Sequence, residues 1–204
     1  MSILAVWFAF TASAADGAVH YALCASCHGR AAEGIDWAEA PALAGLPADY
    51  VERQLLNYQT GLRGSHPDDA KGHQMQSMAK TLPSPSATRA VAEWIATLPA
   101  PEPPVTVQGD VTAGKALYAA CATCHGEPGK AGVADAPPLT SLQDWYLVRQ
   151  LQAYRQGIRG NDNADGPGTQ MRTMVASLTN DQAVKDVVAF IQTLRDDPPG
   201  KPIP

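Results

Sequence analysis

The sequence predicts an all-α protein built from two similar domains placed head to tail, each of three to four helices. Three observations predict it. Cys24-Ala25-Ser26-Cys27-His28-Gly29 returns as Cys121-Ala122-Thr123-Cys124-His125-Gly126 at an offset of 97, and further stretches return at 96. Around them apolar residues recur three and four apart, the period of a helix buried on one face. No alternating apolar-polar run of useful length is present, so no half-buried strand is expected.

Taken in order, Ser2 to Phe10 form an apolar run shorter than the ~20 residues of a membrane span, and Ala12-Ser13-Ala14 has the small-x-small pattern of a cleavage site. Residues 1–14 are expected to be an export signal. Val19, Leu23 and Cys24 then belong on a short helix that runs into the cysteine motif. A loop over 29–47 follows, and Tyr50, Val51, Gln54, Leu55 and Tyr58 mark the next helix. After a second loop, 61–74, come Met75 and Met78. Val91, Trp94, Ile95 and Leu98 mark the helix that closes a first domain of residues 15–98.

Pro99-Ala100-Pro101-Glu102-Pro103-Pro104 cannot continue a helix and favours extended polyproline II, so 99–104 reads as a semi-rigid linker. The second domain, 105–204, repeats the pattern. Tyr146, Leu147, Gln150, Leu151 and Tyr154 lie between loops 126–143 and 157–170. Met171 and Met174 follow, then Val187, Phe190, Ile191 and Leu194, entered through Asn180 as a cap. A proline-rich tail ends the chain. One residue is lost between His125 and Pro137 relative to His28 and Pro41, and in a loop such a change costs little.

Lys and Arg total 15 against 20 Asp and Glu, a net charge of −5, which argues against a phosphate-binding surface for nucleic acid and favours a basic docking partner. With 45% hydrophobic residues the chain can build a core, but Gly and Pro number 17 each, so much of it is loop. A domain of about 85 residues with loops that long is marginal without a disulfide, a metal or a large prosthetic group.

The repeated motif supplies such a group. Cys-x-x-Cys-His is the attachment signature of c-type haem: thiols one helical turn apart reach two vinyl groups on one porphyrin edge, and the adjacent histidine reaches the iron. All four cysteines, Cys24, Cys27, Cys121 and Cys124, lie in its two copies. A four-cysteine zinc site needs its knuckles ~15–20 residues apart, and thiol exchange belongs on a βαβ scaffold; neither suits this chain. Two covalent haem c groups are therefore expected, with His28 and His125 on the iron, and covalent attachment agrees with export. The mature protein is expected to be soluble and periplasmic, with any membrane association peripheral.

The sixth ligand separates an electron carrier from an oxygen-handling site. In the second domain His125 is the only histidine, which leaves Met171 or Met174. In the first domain His66 and His73 compete with Met75 and Met78, but only the methionines have counterparts in the repeat, so the two histidines read as solvated loop residues. Residues three apart share a helical face, so spacing leaves the choice within each methionine pair open.

The two CxxCHG motifs, the Pro-x-Leu segments, the repeated Arg-Gln-Leu and the paired Gln-Met-x-x-Met resemble the di-haem cytochrome c4 family over nearly the whole mature chain. The resemblance implies that the ligand is the methionine seven residues before a leucine, Met75 before Leu82 and Met171 before Leu178. It implies that the Pro41 and Pro137 carbonyls accept from the proximal histidines. It also implies that Gly17 and Tyr21 meet Trp94, and Gly114 and Tyr118 meet Phe190. Arg63 and Arg159, in equivalent positions before the ligand segments, read either as partners of haem propionates or as solvated surface cations.

The function expected is electron transfer without catalysis: a soluble periplasmic carrier in a respiratory chain. By resemblance a quinol-oxidising complex is its donor and a haem-copper terminal oxidase its acceptor. An electron-accepting subunit of a periplasmic dehydrogenase for sulfur compounds or alcohols is the alternative. A di-haem peroxidase would need one iron with a displaceable ligand.

Overall fold

The computed structural model describes residues 14–126 and 136–195; residues 1–13 of the expected export signal 1–14, residues 127–135 and the tail after Arg195 lie outside the described residues. The first domain runs through α1 (Ala14–Tyr21), α2 (Ala25–His28), a 3-10 turn (Asp36–Ala38), α3 (Ala48–Thr60), α4 (Ala70–Ala79) and α5 (Pro85–Ala96). The second runs through α6 (Val111–His125), α7 (Asp144–Arg155), α8 (Gly166–Val175) and α9 (Asp181–Thr193). Among the described residues, pairing of extended backbone is limited to one isolated bridge, Ile35 with Ala40.

Each domain is framed by its first helix crossing its last. A Cβ on Gly17 would lie 2.2 Å from the Ala90 carbonyl oxygen, and one on Gly114 would lie 1.9 Å from that of Asp186, so only glycine permits these crossings. One turn later Tyr21 packs on Trp94 with ring centroids 4.5 Å apart, and Tyr118 packs on Phe190 at 5.4 Å. Both contacts are those implied by the resemblance. The closing helices enter through side-chain caps: Ser84 accepts from the Ala87 amide and Asn180 from that of Ala183.

Two local expectations need correction. The helix leading into the first cysteine motif is broken: Ala22 and Cys24 bond three residues back, to Val19 and Tyr21, and α2 begins afresh at Ala25. In the second domain the equivalent helix is continuous. Val19 and Leu23 do not form its buried face, since they are 73% and 52% exposed. The loops 61–74 and 157–170 also end early, because Asp69 and Asp165 cap α4 and α8 by accepting from the Gly72 and Gly168 amides. These caps start helices in segments whose glycine and proline content argues for loop.

The chain from Pro99 to Asp110 has no regular secondary structure and is pinned. The buried Asp144 carboxylate, at the start of α7, accepts from the Thr106 and Val107 amides and from the Thr106 hydroxyl, the last at 2.8 Å. Arg195 donates to the Pro103 and Leu142 carbonyls. The linker therefore has a fixed path along the second domain.

Replacing Gly114 with Ala is expected to cost about 2 kcal/mol through overpacking and to lower the Tm of the holoprotein by on the order of 10 °C. Gly166 has nothing within 4 Å of its missing Cβ, so Gly166→Ala serves as the neutral control. Equal Tm values for the two variants, by circular dichroism, would contradict this packing. Burial alone would raise the Asp144 pKa, but hydrogen bonds from Thr106, Val107 and Trp145 outweigh it and hold the carboxyl below its usual range. The unfolded carboxyl thus takes up its proton at higher pH than the folded one. Its contribution is full above the ordinary carboxylate value and is lost as pH falls through the depressed one. Asp144→Asn is expected to cost about 2 kcal/mol at neutral pH and to flatten the acid limb of stability measured by urea denaturation.

Candidate functional site

Each domain carries a partly open cavity, of about 160 Å³ in the first and about 260 Å³ in the second. Cys24, Cys27, His28, Pro41, Met75 and Met78 line the first; Cys121, Cys124, His125, Pro137, Met171 and Met174 line the second. The cysteines are thus divided two and two and form no four-thiolate site. Burial pushes the free Cys24 and Cys121 thiols above their usual pKa.

The two histidines end α2 and α6 and are oriented identically. His28 Nδ1 lies 2.8 Å from the Pro41 carbonyl oxygen, and His125 Nδ1 lies 2.9 Å from that of Pro137. A carbonyl only accepts, so each Nδ1 carries the proton and each Nε2 keeps a lone pair for a metal. Burial pushes both imidazoles below their ordinary pKa, which keeps the rings neutral. Behind them the Tyr21 and Tyr118 hydroxyls donate to the carbonyls of Gly29 and Gly126 at 2.8 and 2.9 Å, tying the residue after each histidine to the first helix.

Met75 and Met78 share α4, and Met171 and Met174 share α8. Met171 packs against the core, whereas Met174 is 38% exposed. His66 and His73 do not line the first cavity. The Asp68 amide donates to His66 Nδ1 at 3.2 Å, and His73 sits on an exposed position of α4, not in a loop.

The arginines overturn the reading of solvated cations. Arg63 and Arg159 are only 7% and 8% exposed. Each sits between glycines of positive φ, Gly61 and Gly64 or Gly157 and Gly160. A Cβ on Gly64 or Gly160 would meet the carbonyl of Gly72 or Gly168 within 2.5 Å, so the turns press against α4 and α8. The guanidiniums cross the domain boundary. Arg63 donates to Gln54 Oε1 at 2.7 Å, Gln150 Oε1 at 3.0 Å and the Tyr146 hydroxyl at 3.1 Å. Arg159 donates to Gln150 Oε1 at 2.6 Å and Gln54 Oε1 at 2.9 Å. Tyr50, Gln54, Tyr146, Gln150 and Arg159 line both cavities.

Among the described residues no carboxylate pairs with either guanidinium, and the Arg159 Nε is buried without a hydrogen-bond partner. Buried charge without a counter-charge is costly. Paired thiols, a neutral imidazole with a free lone pair, thioethers and unpaired guanidiniums around an apolar cavity fit a porphyrin that carries iron and carboxylates.

The cytochrome c family model matches residues 14–99 and again 111–195. The chain belongs to the cytochrome c family. It is 33% identical to a thiosulfate dehydrogenase electron acceptor of Stutzerimonas stutzeri, over 84% of this chain and 85% of that protein. It is 30% identical to cytochrome c4 of Azotobacter vinelandii, over 87% and 85%. The crystal structure of reduced recombinant cytochrome c4 from Pseudomonas stutzeri shares the fold, with a TM-score of 0.69 at 23% identity over 89% of this chain and 98% of that one. A thiosulfate dehydrogenase (TsdBA) of Marichromatium purpuratum superposes with a TM-score of 0.72 at 27% identity, over 88% of this chain and 40% of the other. With two such domains the protein is a di-haem electron carrier of the cytochrome c4 type, holding two covalent haem c groups.

The shared wall was the part sequence reasoning missed. Gln54 and Gln150 lie in the repeated Arg-Gln-Leu, and a polar residue kept at one position in both copies of an otherwise apolar helix face was the available signal. Because Arg159 lines both cavities and Arg63 only the first, Arg159→Leu is expected to lower both reduction potentials and Arg63→Leu mainly one. Removing a positive charge disfavours the reduced form in each case. Spectroelectrochemical titration checks this, and identical responses to the two substitutions would refute it.

Proposed function

We propose that this cytochrome accepts electrons in the periplasm from a dehydrogenase that oxidises an inorganic sulfur compound of the thiosulfate type and passes them to a haem-copper oxidase. In this reading Cys24, Cys27, Cys121 and Cys124 carry the thioether links, and His28 with Met75 and His125 with Met171 are the axial ligands. Pro41 and Pro137 orient the histidines, while Arg63 and Arg159 neutralise propionates. When bound, the haems supply two one-electron centres. Everything else is the work of the chain: apolar walls exclude water, fixed ligands limit reorganisation, and the domains hold the two sites on either side of one layer of side chains.

That shared layer carries the reading. Tyr50, Gln54, Tyr146, Gln150 and Arg159 belong to both cavities, so a charge entering one domain is a single side-chain layer from the other. Joining two thiosulfate-type anions through a new S–S bond releases two electrons, and two one-electron centres on one chain take both. The choice of donor is supported by the thiosulfate dehydrogenase electron acceptors of Stutzerimonas stutzeri and Thiomonas intermedia, at 33% and 32% identity. Among the described residues no helix is long and apolar enough to cross a membrane, which suits a carrier that diffuses between partners. The packing of Met171 against the core, with Met174 more exposed, supports Met171 as ligand and by repeat Met75.

Stopped-flow reduction with a thiosulfate dehydrogenase and its substrate tests the donor: both haems should reduce within the enzyme's turnover time. Faster reduction by a quinol-oxidising complex, with none by the dehydrogenase, would reassign it. Met75→Ala and Met171→Ala are each expected to lower one potential and remove half of the thioether-to-ferric charge-transfer absorption. The same result from Met78→Ala or Met174→Ala instead would move the ligand. A high-spin ferric signal or rapid cyanide binding in the unaltered protein would favour a peroxidase.

A further inference from the structure

The geometry assigns to Gln143, a residue of the second domain, the positioning of the proximal histidine in the first. Gln143 is 4% exposed and immediately precedes α7. Its side chain makes no cap bond to its own helix. It reaches instead across the domain boundary into the loop that runs from His28 to Pro41. Its Oε1 accepts from the Ala42 amide at 2.7 Å, and its Nε2 donates to the Glu33 carbonyl at 3.1 Å.

These two backbone groups are the ends of a shorter inner loop, 33–42. Ile35 and Ala40 pair with each other through both of their amides, at 2.9 and 3.2 Å. Continued outward, that antiparallel register places residue 33 opposite residue 42. The Gln143 amide stands between them as a surrogate peptide group, with its acceptor toward one strand and its donor toward the other. Gly34 leaves room for it, since a Cβ there would lie 2.3 Å from Gln143 Nε2. The clamp adjoins the ligand on both sides: Gly34 N–H donates to the His28 carbonyl at 2.8 Å, and Pro41, whose carbonyl holds His28 Nδ1, directly precedes Ala42.

The chemistry suits glutamine alone. Asparagine is one methylene short, and glutamate has no donor for the Glu33 carbonyl. Farther out, Trp145 Nε1 donates to Asp36 Oδ1 at 2.9 Å, and Arg149 donates to the Glu39 carbonyl and carboxylate at 3.1 and 3.2 Å. Neither reaches the loop ends. The device is also one-sided, because the position equivalent to Gln143 in the first domain is Pro47, which has no amide side chain. A well-held Nδ1–H bond makes the imidazole a stronger donor to iron and favours the ferric state. Through Gln143, domain docking thereby tunes the potential of the first haem, and no equivalent clamp acts on the second.

This inference rests on the ligation of iron by His28 and His125. It is tested on the full-length di-haem protein labelled with ¹⁵N-histidine, by measuring the exchange rates of the two Nδ1 protons and both reduction potentials. Gln143→Met keeps the length and removes both bonds. Exchange at His28 is expected to rise roughly tenfold and the first-domain potential to rise, with His125 unchanged as internal control. Gln143→Asn, a milder change for the fold, is expected to act in the same direction. Trp145→Phe, which loosens only the outer contact, is expected to leave His28 exchange unaltered. Equal acceleration at both histidines, or none at His28, overturns the assignment. If the oxidised protein shows no paramagnetic shift of these protons, the ligation itself fails, a result distinct from either.

Discussion

Everything in this molecule answers to one constraint: a domain of about 85 residues with long loops has too little apolar mass for a core of side chains alone. The covalent prosthetic group is therefore part of the core. This explains why helix crossings at Gly17 and Gly114 are so close. The polypeptide frames the cavity with a few tight, specific contacts, because it has too little apolar mass to do so by bulk packing.

The second organising feature is the pair of guanidiniums between the domains. Placing Arg63 and Arg159 out of water without a protein carboxylate would destabilise a bare polypeptide. Here the neutral amides of Gln54 and Gln150 each accept from both arginines, so neither domain satisfies its arginine alone. Tyr58 and Tyr154 add their ring faces, with each guanidinium carbon 4.6 Å from a ring centroid. The remaining positive charge suits acidic groups at the cavity rims. Stability of the interface and electrostatics of the redox sites are thus one network, and a change in either is felt by the other.

What the sequence made legible is what depends on local spacing. The helical class, the tandem repeat and the cap at Asn180 follow from period, motif and cap chemistry, the glycine-aromatic crossings from the family resemblance, and the structure contains them all. Helix α4 was legible only in part. The glycine at 72 argues for loop, yet the Asp69 carboxylate starts the helix there. The burial of Arg63 was not legible, because the groups that make it tolerable include Gln150 and Tyr146, 87 and 83 residues away. The partners of Gln143, 101 and 110 residues distant, are further still from any local signal.

Duplication also explains where the two halves differ. The residues that face the cavities and the shared wall are repeated: Tyr50 with Tyr146, Gln54 with Gln150, Arg63 with Arg159. Such self-complementary surfaces meet about an approximate two-fold axis. A single chain cannot obey that symmetry throughout, since one linker must run from the first domain to the second. The entrance to α7, Gln143-Asp144-Trp145, departs from its counterpart Pro47-Ala48-Asp49, and each substituted residue handles something that has no symmetric partner. Asp144 holds Thr106 and Val107, just after the linker; Gln143 and Trp145 hold the proximal loop of the other domain. This one turn is therefore a source of asymmetry between the two domains, built from residues that the duplication does not repeat.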